Sequence, residues 1–340
     1  MNPRLVSLVL LTLVLTACGQ SATAHPANCN DVESVAWSPD GKQVAWSDTR
    51  SICIETIGDP KPRVIDLHPD RPTAIAWPRR HTLLFVSRSS ALFTLDPAGD
   101  AVSRLGEAGS VAGWFGLRIA AHSRLLRMGC GDDRPMTITS LVTGRRTPVD
   151  GGSLRGCDPS LSPDARQIVF DRESKGHLMG IWSARTDGSH VERLSPGGTN
   201  PLWSPKRAEI VYLDVAKVGR DAWETELRLM PSSGGASVRL ALGVTMANSW
   251  SPNGKFIAFS NENNGLSAVN VATKAVRVLT RGPDVSGFAW SHDSHELLVG
   301  ELRNYLCSSV WRIPLSGGKP VRVWAEPATR VDPKHERDCE

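Results

Sequence analysis

A Trp-Ser-Pro-Asp-Gly turn that returns along the chain, apolar alternation after each return, and a wealth of turn formers predict an all-β chain, a β-propeller of four-stranded blades. The composition agrees, because 30 Gly and 23 Pro accompany 11 Trp, more than Tyr and Phe together. Counting the returns gives seven blades, and six is the alternative if one copy is false. At 340 residues the chain is long enough to bury a large core without a cofactor.

The first residues read as an export signal, residues 1–17. Arg4 precedes the apolar run Leu5 to Leu15, which is too short for a stable membrane span. Leu15-Thr16-Ala17-Cys18 resembles the bacterial lipobox. That resemblance implies cleavage before Cys18, a diacylglycerol on its thiol and palmitate-type acylation. Residues 18–30 would then be a lipidated tether. Several acyl chains hold a protein firmly, at about 0.8 kcal/mol per buried methylene. Gly19 is not the Asp that resembles an inner-membrane retention signal, so the expected location is the cell membrane or the periplasmic face of an outer membrane.

The repeats occupy residues 31–328, leaving 329–340 as a tail. Ala36-Trp37-Ser38-Pro39-Asp40-Gly41-Lys42 returns as Ser249-Trp250-Ser251-Pro252-Asn253-Gly254-Lys255, and in looser form at Leu161-Ser162-Pro163-Asp164, Trp203-Ser204-Pro205-Lys206 and Trp290-Ser291-His292-Asp293. Trp77-Pro78-Arg79-Arg80 and Trp114-Phe115-Gly116 are weaker copies with a shortened turn. The anchors Trp37, Trp77, Trp114, Leu161, Trp203, Trp250 and Trp290 are separated by 40, 37, 47, 42, 47 and 40 residues, the size of one blade. Pro at the second turn position suits a type I turn, and Gly supplies the positive φ that follows. Second turns are expected at Asp187-Gly188, Ser233-Gly234-Gly235 and Ser316-Gly317-Gly318. The Trp anchors should pack between blades rather than bind a ligand. These repeats resemble the TolB-type propeller, related in shape to WD repeats. That resemblance implies an envelope role, and six blades are usual in that family.

Such a ring has two unlike faces. Turns joining first to second and third to fourth strands share one face, whereas second-to-third loops and blade links share the other, where lengths vary. Variable loops on a rigid ring suggest a binding rim. The longest should run from Asp214 to Thr225, with Arg220 and Trp223 as candidate contacts. Arg172, Lys175, Asn263, Arg303 and Tyr305 lie in neighbouring loops and complete the candidate set. Partners of this rim would be an envelope protein, a peptide or a glycan, held by a monomeric propeller.

Six cysteines besides Cys18 favour disulfides in an exported protein. Cys130 and Cys157 should pair between adjacent blades. Cys29 with Cys307 would lock the ring and leave Cys53 with Cys339, while Cys29 with Cys53 and Cys307 with Cys339 is an open alternative. A net charge of +4, or +3 without the signal, gives no footprint for nucleic acid.

Catalytic signatures are absent: the chain has no G-x-S-x-G, C-x-x-C, H-E-x-x-H, P-loop or EF-hand pattern. No cofactor and no metal is expected. His292-Asp293-Ser294-His295 occupies the repeated turn, and Asp132-Asp133 reads as an exposed acidic loop. A binding scaffold is the leading reading, with a hydrolase or lyase acting on a polysaccharide or small ester in the central channel as the alternative.

Overall fold

The computed structural model describes residues 29, 32–59, 61–107, 119–120, 124–127, 136–141, 143–149, 156–174, 177–217, 223–261, 265–281, 284–303 and 307–325. Alternating apolar strands between tight turns pair with their chain neighbours, giving seven antiparallel four-stranded sheets among these residues. Blade 1 holds β1 (Ser34–Trp37), β2 (Gln43–Ser47), β3 (Ser51–Thr56) and β4 (Arg63–Asp66). Blade 2 holds β5 (Pro72–Arg79), β6 (Thr82–Ser87), β7 (Ala91–Leu95) and β8 (Val102–Glu107). Blade 3 holds β9 (Ile119–Ala120), β10 (Arg124–Arg127), β11 (Thr137–Ser140) and β12 (Arg146–Pro148). Blade 4 holds β13 (Cys157–Leu161), β14 (Gln167–Ser174), β15 (His177–Arg185) and β16 (Glu192–Ser195). Blade 5 holds β17 (Thr199–Trp203), β18 (Glu209–Lys217), β19 (Trp223–Pro231) and β20 (Val238–Leu242). Blade 6 holds β21 (Val244–Trp250), β22 (Phe256–Asn261), β23 (Leu266–Asn270) and β24 (Val276–Val278). Blade 7 holds β25 (Asp284–Trp290), β26 (Glu296–Arg303), β27 (Cys307–Pro314) and β28 (Val321–Ala325).

The order of strands in each sheet follows the chain, and first strands touch first strands: β1 packs on both β5 and β25, and β13 on β17. First strands therefore form the inner wall of a seven-bladed β-propeller, and fourth strands form its rim. Among the described residues blade 7 meets blade 1 without exchanging a strand.

The Trp anchors sit between blades, as their repeat predicts. Trp37, Trp77, Trp203, Trp250 and Trp290 are all buried. Trp37 donates its indole N–H to the Ala289 carbonyl at 3.2 Å, Trp250 to Leu202 at 3.3 Å, and Trp290 to Ser249 at 3.1 Å. Each bond reaches the residue just before the corresponding anchor of the preceding blade. A buried indole thus supplies both apolar area and a directional bond, so it fixes the register of one blade on the next. Blade 3 departs from expectation. Its first strand, β9, lies beyond Trp114, and Trp114 itself falls outside the described residues.

The turn chemistry repeats as closely as the anchors. Ser38 Oγ donates to Asp40 Oδ1 at 2.8 Å and accepts the Gln43 N–H at 2.8 Å, while Asp40 Oδ1 accepts the Lys42 N–H. Ser162 with Asp164, Ser251 with Asn253 and Ser291 with Asp293 repeat the arrangement. The Ser bond, then the backbone bond, hold the Asp40, Asp164 and Asp293 carboxyls below the ordinary carboxylate range. His292-Asp293-Ser294-His295 is accordingly a hairpin tip, with the His295 N–H on Asp293.

One disulfide expectation is corrected. Cys29 pairs with Cys53, not with Cys307, and Cys53 is therefore not joined to Cys339. Strand β3 places Cys53 opposite Trp46, on the face turned toward blade 7. The entering segment carries Cys29 into the same buried cluster, and the 6.0 Å between the two Cα atoms suits the bond. Cys157 is disulfide-bonded. Cys130, Cys339 and the side chain of Cys307 lie outside the described residues.

Candidate interaction face

On the face opposite the Ser-Pro-Asp-Gly turns, the second and third strands differ in length from blade to blade. In blades 1, 2 and 6 they have five or six residues; in blades 4, 5 and 7 they have eight or nine. Three extra residues extend a hairpin by about 10 Å. The hairpins of blades 4, 5 and 7 therefore stand proud of this face.

The extension corrects the reading of Asp214 to Thr225 as a loop. Asp214 pairs with Glu226, Val215 with Thr225, Ala216 with Glu224 and Lys217 with Trp223, so the ladder continues through these residues. Charged residues hide the alternation, but Val, Thr and Trp on a paired ribbon favour extended backbone. Arg172 and Arg303 are likewise strand residues, within β14 and β26. Arg220, Lys175, Asn263 and Tyr305, and the side chains of Trp223 and Arg303, lie outside the described residues.

Arg172 is the candidate whose side chain can be followed. Its Cζ lies 4.5 Å from the Trp182 ring centre and 5.4 Å from that of Phe170. The aromatic pair arises from strand register, since Phe170 and Trp182 are directly opposed in β14 and β15. Arg172 Nε is buried without a hydrogen-bond partner, and desolvation lowers the guanidinium pKa from its ordinary value. Among the described residues Arg172 forms no hydrogen bond and no ion pair.

Equivalent positions in blades 1 and 6 are already occupied with their own backbone. Four residues beyond the partner of each anchor, Asp48 accepts the N–H groups of Arg50 and Ser51, and Asn261 accepts that of Gly265. Neighbouring Asp171 is also committed, accepting from the Thr199 hydroxyl and from the Asn200 N–H at 3.2 Å, which ties blade 4 to blade 5. A cation steadied by two rings, partly desolvated and lacking an anion among the described residues, is built to receive a carboxylate or phosphate. The sequence supplied Arg172 as a loop residue; the missing signal was that Phe170 and Trp182 face each other.

No protein-family model matches the chain. An uncharacterised protein of Agrobacterium fabrum is 29% identical over 252 residues, covering 67% of this chain and 83% of that protein. Among solved structures, an oligogalacturonate lyase in complex with manganese aligns with a TM-score of 0.62 at 12% identity, over 84% of this chain and 89% of the lyase. The structure of putative TolB from Agrobacterium tumefaciens aligns with a TM-score of 0.47 at 22% identity, over 67% of this chain and 88% of that one. At 12% identity the likeness to the lyase is one of fold. Among the described residues no group of three or more His, Cys, Asp or Glu side chains is placed to hold a metal ion.

Proposed function

We propose that the chain is an exported, lipid-anchored propeller of the cell envelope, whose proud hairpins hold an anionic group of a protein, peptide or glycan partner. The observation that carries this reading is Arg172, a ring-stacked and partly desolvated guanidinium with no anion among the described residues, on the face of unequal hairpins. The acyl anchor rests on the Leu15-Thr16-Ala17-Cys18 lipobox and would keep the propeller beside the membrane. A rigid ring suits a binding role, because inter-blade Trp bonds hold the inner wall while hairpins vary.

The test is a crosslinking pull-down from intact cells. Arg172→Ala should reduce partner recovery at least ~10-fold, since an Arg at an interface centre contributes about 2 kcal/mol or more. Arg172→Lys should not restore it, because an ammonium neither stacks on the rings nor presents a planar fork. In the same cells Cys18→Ser should abolish labelled palmitate incorporation and release the protein from the membrane fraction. Full partner recovery with Arg172→Ala would overturn the assignment of this face.

A further inference from the structure

The outer edge of the ring is not uniform in charge. The third-to-fourth strand hairpins of blades 1, 2, 4 and 5 each contain at least two carboxylates, such as Asp59 and Asp66 in blade 1 or Asp187 and Glu192 in blade 4. Residues 137–148 of blade 3, 265–281 of blade 6 and 307–325 of blade 7 contain none, and those of blades 6 and 7 lie side by side. The same two hairpins expose Lys274, Arg277, Arg281, Lys319 and Arg322. Between these cations stand three exposed valines: Val276 at 48%, Val278 at 45% and Val321 at 54% of full accessibility.

Neighbouring contacts make these hairpins one surface. Arg277 donates to the Leu315 carbonyl, joining the outer strand of blade 6 to the last turn of blade 7. Trp311 and Trp324 are part-buried just inside this edge, and Arg322 lies over the Trp311 ring at 6.0 Å. Cations interspersed with small apolar side chains and backed by Trp suit the boundary between lipid headgroups and acyl chains.

The position of the chain entry selects the occupant. The Val32 N–H donates to Ser308 Oγ of β27 at 3.4 Å, so the N-terminal segment enters against blade 7 itself. Cys29 is fixed there by its bond to Cys53. Cys18 precedes Cys29 by 11 residues, a contour of at most about 40 Å. A membrane holding acyl groups on Cys18 would lie within that reach of the basic edge of blades 6 and 7.

We infer that the outer edge of blades 6 and 7 docks on an anionic phospholipid surface, so that the propeller lies edge-on to its membrane with the hairpin face turned sideways. This rests on the lipid-anchored reading proposed above, but the surface can be tested without the lipid. A chain beginning at Gly19 keeps every described strand and cannot be acylated. It should co-sediment with vesicles of phosphatidylglycerol and phosphatidylcholine, not with phosphatidylcholine alone, and should be released by high salt.

Each cation at such a surface contributes about five-fold in affinity. Lys274→Glu, Lys319→Glu and Arg322→Glu together should therefore weaken vesicle binding at least ~20-fold. The same reversal at Lys61, Arg63 and Arg104, on the outer edge of blades 1 and 2, should leave it nearly unchanged; thermal unfolding confirms that both triple variants fold. Absence of binding to anionic vesicles, equal binding to neutral ones, or an equal loss from both triple variants would overturn the inference. An acylated protein whose unacylated form ignores anionic vesicles would sink the edge and spare the anchor, while vesicle binding without palmitate incorporation would do the reverse.

Discussion

Glu55 is a carboxylate in the wrong surroundings. It lies in β3 with 5% of its surface accessible, and its Oε2 is buried without a partner. Burial, and secondarily the nearby Asp59, push its pKa up to about 7 from 4.5. Because the folded pKa exceeds the unfolded one, folding takes up a proton, and stability present below about pH 4.5 is lost as pH rises through 7. The ceiling is about 3 kcal/mol at pH 8. Glu55→Gln should therefore raise the urea midpoint at pH 8 and change little at pH 4.5. A variant equally stabilised at both pH values would show that packing, not ionisation, is responsible. Arg172 presents the opposite case, a charge retained because two rings hold it. Neither environment was legible along the chain. Alternation gives the side of a strand on which a residue lies, but not what the neighbouring blade places against it.

At the scale of single elements the repeated turn was the most legible feature, because Ser-Pro-Asp-Gly satisfies its own backbone. Its fourth position is left-handed in four of the copies: Gly41 has φ +69°, Gly254 +69°, Ala165 +56° and Ser294 +64°. An L side chain there is strained by about 1 kcal/mol. Ala165→Gly should accordingly stabilise the protein by roughly that amount, and Gly41→Ala should cost about the same, given that a Cβ at Gly41 would meet nothing within 4 Å. Denaturant midpoints check both; a loss in both variants would mean that the Ala165 methyl, which is buried, outweighs its backbone strain. Other elements were harder to read. The ribbon from Asp214 to Thr225 passed for a loop because its charges mask the period of two. The Cys29 pairing was open because position along the chain does not reveal that Cys53 faces the cluster into which Cys29 runs.

For the whole molecule the decisive interface is the seam between blades 7 and 1, where, among the described residues, no strand passes from one blade to the other. A Cys29–Cys307 bond would have closed it covalently. Cys29–Cys53 instead stiffens blade 1 and its entering segment, and the seam is held by packing of Val35, Trp37, Val44 and Trp46 against Leu298 and Val310. Trp37 adds its bond to Ala289 and stacks beneath the Arg312 guanidinium at 5.6 Å, which Glu296 grips through two hydrogen bonds. Trp37→Phe should remove about 1 kcal/mol with the bond. Trp250→Phe removes the equivalent bond, to Leu202, at an interface whose blades stay connected through the chain. The thermodynamic losses should thus be similar but their distribution should differ. Blades 5 and 6 are consecutive in the chain and remain at high effective concentration when their contact loosens, whereas the strands of blades 7 and 1 are connected in sequence through the rest of the ring. Native-state hydrogen exchange should therefore rise in both β1 and β25 of Trp37→Phe, at opposite ends of the sequence, while Trp250→Phe changes exchange only locally. Equal and local changes in the two variants would mean that the seam is no weaker than the other interfaces, and that ring opening is not the first step of unfolding.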